Sequence, residues 1–412
     1  MLDSPTSSAA LYLGQRGGPG GPPRMAREAP AGFAPVDAAP WRPAVPPLPV
    51  LAELVAAFPS AEARLVVVGA GDLGMAAYRD CLHAASTSLD VAALVTTGGA
   101  AAAEARATLG RDVTVLVPDR PEDIWRTAGE FAGRLARRTS APVILQCPDG
   151  LVTYAALDLL AEQGVRGVVA SAGCSTAGYA ARPLRLPVFT TAGSPLSALA
   201  DGPAGRSIAH SVEAALRRHL ARSVVDSRVV VLGYRGRAAA VSAALHGLGA
   251  RVGVYDPDPI HQCAAVIAGH RALGRREALG AADIVVDLGG LLGGDDGLAR
   301  LAHEAVLVTD RPDLVASPPG GPPAALEVLA RHDELALCRL VDERLYVILA
   351  GRSPGHGAPH LVGRLRDLLC GELYLCIRQL AARSCAPGVH RLARSQCADL
   401  ARRWCRTYQQ AH

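Results

Sequence analysis

From residue 48 onward, short apolar runs alternate with longer amphipathic stretches along this chain. Leu65 to Val68 closes on a glycine turn, and a helical pattern follows it through Ala85. Val91 to Val95, Val113 to Leu116, Val143 to Leu145 and Val165 to Ala170 repeat the apolar run, with amphipathic stretches at about 101–108, 122–137 and 151–163 between them. Strands that are apolar throughout belong to a parallel sheet covered on both faces, and the stretches between them read as its crossover helices. Next, Ile208, Val212, Leu216 and Leu220 recur at four-residue spacing, which predicts a helix over Arg206–Arg222 with Ser207 as its cap.

A second strand–helix series begins at Arg228–Leu232. It continues through a helix to Gly247, Arg251–Tyr255, a helix to Ala268, Ile284–Val286 and Ala305–Val308. Leu335–Leu340 and Leu345–Leu349 read as strands, and two helices at about 360–383 and 390–408 close the chain. The predicted fold is α/β: two Rossmann-like lobes with parallel sheets, the C-terminal helices returning to the first lobe.

Composition narrows the function classes. The chain of 412 residues is 50% hydrophobic and 19% charged, as a globular protein is. It contains no lysine, which removes any mechanism based on a lysine amine. Its net charge is only +4, and its arginines are scattered without interleaved aromatics, so no nucleic-acid partner is expected. No apolar run approaches the ~18 residues a bilayer span needs, and Ala9–Leu13 is too short for a secretion signal. A cytoplasmic protein with no membrane partner is expected. Ten cysteines include no CxxC pair, and the late group Cys370, Cys376, Cys385, Cys397 and Cys405 near His390 has no zinc-site spacing, so no metal is expected.

Two loops carry candidate chemistry. Gly69-Ala70-Gly71-Asp72-Leu73-Gly74 is a complete G-x-G-x-x-G between a strand and a helix, where glycines permit a tight turn and the helix N-terminus faces a diphosphate. The next strand ends in Thr96-Thr97-Gly98, without an acid for a ribose. The second loop is Gly233-Tyr234-Arg235-Gly236-Arg237-Ala238. Arg235 stands where the backbone should approach the diphosphate, whereas Ala238 suits the packing position and Asp256 ends the next strand, where an acid takes ribose hydroxyls. NAD is the expected cofactor, with Gly233, Arg235, Gly236, Ala238 and Asp256, or Gly69, Gly71 and Gly74, as its contacts.

From Val230 to Gly290 the chain resembles the cofactor domain of the adenosylhomocysteinase family. The residues that carry this are Gly247-Leu248-Gly249-Ala250-Arg251-Val252, then Asp256-Pro257-Asp258-Pro259-Ile260, with Leu186–Phe189 and Leu345–Arg352 extending it outward. The resemblance implies NAD held in the second lobe, ribose oxidation followed by elimination, and a homo-oligomer. It implies 46–205 as a substrate-type domain completed by 350–385, 206–349 as the NAD domain, and 386–412 as a C-terminal helix. Residues 1–45, rich in Gly, Pro and Ala, are expected to be disordered.

The departures are heavy. Ala192 to Asp201 replaces the segment that carries the family's catalytic lysine and aspartate, and Gln146-Cys147-Pro148-Asp149-Gly150 replaces an acid cluster. The titratable residues left as catalytic candidates are Asp149, Asp310, His356 and His360. Three functions stay open: NAD-dependent chemistry on a nucleoside-like or hydroxylated small molecule, a non-catalytic binding relative, and a two-Rossmann dehydrogenase using the Gly69–Gly74 loop.

Overall fold

The computed structural model describes residues 47–69, 73–85, 89–96, 99–119, 123–147, 154–170, 183–280, 282–292, 297–309, 327–332, 335–340, 343–349 and 364–409. The disorder expected of 1–45 lies outside them. Helix α1 (Pro49–Ala57) opens the fold, followed by β1 (Ala63–Val68), α2 (Leu73–Ala85), β2 (Leu89–Val95), α3 (Gly99–Thr108) and β3 (Thr114–Leu116). Then come α4 (Ile124–Ala136), β4 (Val143–Cys147), α5 (Tyr154–Glu162), β5 (Gly167–Ala170) and β6 (Pro187–Thr190). These strands, with the late β15 (Gly388–His390), form one sheet in the order β15-β6-β5-β4-β1-β2-β3, parallel at every pairing.

The apolar runs explain themselves in this sheet. Successive side chains of a strand point to opposite faces. Leu65 and Val67 enter one core with α1, α2 and the late helix α10 (Arg364–Ala382), while Val66 and Val68 enter another with α4 and α5. Both faces are covered, so no polar alternation survives.

Helix α6 (Pro195–Ala215), continued by a π-turn at Leu216–Leu220, leaves the first sheet and packs on the second. It begins eleven residues before the expected start at Arg206, and Ser194, not Ser207, is its cap: the Ser197 amide donates to Ser194 Oγ at 2.9 Å. Gly202, Pro203 and Gly205 interrupt the helical pattern and hide its first half. Leu196 lies in the first lobe's core and Ile208, Ala209 and Val212 lie in the second's, so this helix belongs to both.

The second sheet contains β7 (Arg228–Leu232), β8 (Arg251–Tyr255), β9 (Arg271–Ala272), β10 (Ile284–Asp287), β11 (Val306–Thr309), β12 (Glu327–His332), β13 (Leu335–Leu340) and β14 (Glu343–Leu349). Its helices are α7 (Arg237–Gly247), α8 (Pro259–Ile267) and α9 (Arg275–Gly280). The order is β12-β13-β14-β11-β10-β7-β8-β9. This sheet is not parallel throughout: β12, β13 and β14 pair antiparallel, because only two residues separate β13 from β14 and so short a connection cannot cross over. In both sheets the first five strands of the lobe run 3-2-1-4-5, the doubly wound order. No described helix is long and apolar enough to cross a membrane.

Helices α10 and α11 (Arg394–Gln409) return to the first lobe, as expected. Two buried acids on α10 govern this return. Asp367 accepts from the amides of Val50 (2.8 Å) and Leu51 (2.9 Å) at the start of α1, and from Tyr408 Oη (2.9 Å) on α11. A carboxylate that meets orphan amides at a helix N-terminus is stabilised by both hydrogen bonding and the helix dipole. Glu372 is also buried and bonded to Ser194, but its Oε2 has no hydrogen-bond partner, and burial pushes its carboxyl up to about 7.

Asp367→Ala is expected to cost about 3 kcal/mol, because two buried amides and a hydroxyl lose a charged acceptor; urea unfolding reads it. Burial raises the carboxyl of Asp367 as well, and that of Glu372 to about 7. The Glu372 carboxyl ionises more readily in the unfolded chain, so stability falls as pH rises from about 4.5 to about 7. Glu372→Gln is expected to flatten that window and to stabilise the protein at pH 8 by up to about 3 kcal/mol. Unfolding midpoints at pH 5 and pH 8 for both proteins test this; an unchanged pH profile would contradict it.

Candidate functional site

In a doubly wound sheet the crevice opens at the carboxyl ends of the strands, where the order reverses between the first and fourth. The second lobe has this point between β7 and β10. Gly233 follows β7 with φ +89°, and its amide donates to Tyr255 O at 2.7 Å. A Cβ there would lie 3.2 Å from Leu291 Cδ1, so both conformation and space call for glycine. Gly236, with φ +47°, precedes the first turn of α7, and a Cβ on it would lie 2.6 Å from Asp201 Oδ2. Within the loop the Ala238 amide donates to Arg235 O at 3.0 Å. Arg235 itself is exposed.

Asp256 follows β8 directly and is only 4% exposed. Its Oδ2 accepts from the Tyr234 amide at 2.7 Å and its Oδ1 from the Asp258 amide at 2.8 Å, with His261 Nδ1 3.3 Å from Oδ1. The acid therefore shapes the glycine loop and the turn before α8 together. An ionised carboxylate offers about four acceptor positions, so these contacts leave capacity for a sugar hydroxyl. Across the crevice Asp287 ends β10, likewise buried, and accepts from the amides of Leu291 (2.9 Å) and Leu292 (3.0 Å). Asp201, Asp287 and Leu291 lie around this loop and were not part of the sequence pattern. A strand ending in Asp was the available signal for Asp287, and none existed for the other two.

The first lobe is arranged differently. Gly69 follows β1, its amide donating to Val95 O at 3.0 Å, and Gly74 lies in the first turn of α2; Gly71 lies outside the described residues. Thr96 follows β2 where an acid would hold a ribose. Gln146, near the end of β4, accepts from Tyr78 Oη at 3.2 Å, and both side chains are buried. Burial holds the Tyr78 phenol well above its usual range, so it stays a neutral donor to Gln146. This pair turns polar capacity at the reversal inward.

The four catalytic candidates, Asp149, Asp310, His356 and His360, lie outside the described residues. No group of three His, Cys, Asp or Glu that could hold a metal ion occurs among the described residues.

No protein-family model matches the chain, and no curated protein matches it. Solved structures do. They include a phosphoglycerate oxidoreductase from Vibrio cholerae, at 14% identity over 60% of this chain and 75% of that one, with a TM-score of 0.37. A dipicolinate synthase component from Bacillus halodurans matches at 13% identity over 61% and 84%, TM-score 0.36. D-lactate dehydrogenase from Escherichia coli matches at 15% over 60% and 73%, TM-score 0.30. At such identities the likeness concerns the fold alone.

The resemblance to adenosylhomocysteinase does not hold: no model of that family and no curated member of it matches the chain, and the matching solved structures are a phosphoglycerate oxidoreductase, a dipicolinate synthase component and a D-lactate dehydrogenase. The structure gives the physical reason why the motif misled. Gly249, with φ +94°, only ends α7, its amide donating to His246 O at 2.9 Å. Asp258 caps α8 through the Ile260 amide at 2.9 Å, and Pro259 takes the first helical position. Glycine after a helix and Asp-Pro at a helix start recur at such turns in unrelated proteins. The motif reports the architecture, not the family.

Proposed function

We propose that this protein is a two-lobed, NAD-dependent oxidoreductase that holds its dinucleotide on the second lobe, over the carboxyl ends of β7 and β10. Asp256 carries the reading. It is a buried acid at the end of the second strand, bonded to the glycine loop itself, with acceptor capacity to spare. An acid there takes the ribose hydroxyls of NAD and repels the extra phosphate of NADP. The two left-handed glycines of the loop bring backbone close to a ligand without a side chain between them.

The first-lobe loop is the weaker site. Its second strand ends in Thr96, and its reversal point holds the internally bonded Tyr78–Gln146 pair. When bound, a nicotinamide supplies the hydride acceptor or donor. The chain's own part is to orient the cofactor and move a proton. With no lysine present, that proton falls to a carboxylate or an imidazole, for which Asp149, Asp310, His356 and His360 are the sequence's candidates.

Fluorescence titration with NADH and NADPH tests this reading. NADH is expected to bind and NADPH to bind at least tenfold more weakly. Asp256→Ala is expected to weaken NADH about tenfold or more, through lost sugar contacts and a loosened Tyr234 amide. Gly69→Ala is expected to leave the affinity unchanged. Loss of NADH binding in Gly69→Ala with none in Asp256→Ala would move the site to the first lobe and contradict the proposal.

A further inference from the structure

Helix α6 brings a negative charge to the second lobe's loop. Asp201 lies on this helix, and its Oδ2 is the atom that a Cβ on Gly236 would meet, at 2.6 Å. Asp201 is half-buried, at the turn that leads into α7. Arg237, the first residue of α7, favours its ionised form, while burial opposes it more strongly and raises its carboxyl. The Nε of Arg237 is buried and has no hydrogen-bond partner. A carboxylate and the start of α7 thus meet at Gly236, with the Arg237 guanidinium near enough to act on that carboxylate.

That point is where the diphosphate of a dinucleotide lies in a loop of this kind. Two features favour an anion there: the α7 N-terminus and the positive charge of the Arg237 guanidinium. One feature opposes it, the carboxylate of Asp201. We infer that Asp201 is a specificity-determining residue that sets how much negative charge the loop accepts, weakening diphosphate ligands relative to uncharged nucleosides. This rests on the proposal that the second lobe binds a dinucleotide. The residue is not in the sequence pattern of the loop. It reaches the loop from a helix that begins in the other lobe, and only the fold brings it there.

The position of Asp201 is imposed by packing. One turn later on the same face, Gly205 meets α7 so closely that a Cβ on it would lie 2.5 Å from Ala240 Cβ. From there Ile208, Ala209 and Val212 continue into the second core. The backbone that carries Asp201 is therefore held beside the loop. A diphosphate there binds beside its carboxylate, drawing on Arg237 and on the exposed Arg235 for compensation.

Calorimetric titration of the full chain with adenosine, ADP and ADP-ribose tests this, using the parent, Asp201→Asn and Asp201→Ala. Asparagine keeps the shape and removes the charge. A like charge a few ångström away in a partly screened site corresponds to roughly tenfold in affinity. Asp201→Asn is expected to tighten ADP and ADP-ribose by about that factor, to leave adenosine unchanged, and to lose most of the gain at high salt. Asp201→Ala is expected to do the same. Tightening of all three ligands alike, or of none, would overturn the inference while leaving the dinucleotide reading intact. Tightening in Asp201→Ala but not in Asp201→Asn would show the effect to be steric and overturn it as well. If no variant binds any of the three ligands, the dinucleotide reading falls and the inference falls with it.

Discussion

The shape of the second-lobe glycine loop depends on the absence of a side chain at Gly205. Because nothing but hydrogen stands there, α6 lies against the backbone of α7 at Ala240. Any larger residue would drive the two helices apart, at a cost typical of overpacking, about 1–3 kcal/mol. This contact fixes three things together. It seats the far half of α6 in the second core, it places Asp201 against Gly236, and it ties the start of α7 to a helix whose capped end, at Ser194, emerges from the first sheet. The glycine loop is therefore held from two directions, by α6 on one side and by the Asp256 carboxylate on the other.

Three buried aspartates among the described residues are treated in the same manner. Asp256, Asp287 and Asp367 are each deeply buried, and each is met by backbone amides at a turn or a helix start. Such bonds offset the cost of taking a carboxylate out of water and give each turn one definite shape. Glu372 differs from these aspartates, with one oxygen left without a partner and a carboxyl pushed up to about 7. The two lobes share a strand order but differ in how they use the reversal point. The second lobe lines it with acids that retain acceptor capacity, whereas the first closes it with the Tyr78–Gln146 bond.

The strands were legible because both faces of each sheet are covered, and an uninterrupted apolar run is the signature of that burial; Arg228–Leu232 and Arg251–Tyr255 match their expected bounds. The first half of α6 was not legible, since Gly202, Pro203 and Gly205 break a local pattern that only packing against α7 restores. The short edge strands β9 and β15 were missed for a related reason: two or three residues carry no period, and pairing alone defines them. The strand–turn–helix that carries Gly233 and Gly236, with Asp256 after the next strand, was readable from spacing. Asp201 was not, because its proximity to the loop exists only in three dimensions. The family resemblance failed where capping chemistry, common to every lobe of this kind, stood in for ancestry.

A crystal structure of the full chain grown with ADP-ribose would test the placement of the dinucleotide most directly. The expected result is density for the ligand over the Gly233–Ala238 loop, with a ribose hydroxyl within hydrogen-bond distance of the Asp256 carboxylate and the diphosphate beside Arg237. Density at the Gly69–Gly74 loop, or a ligand bound away from Asp256, would contradict it.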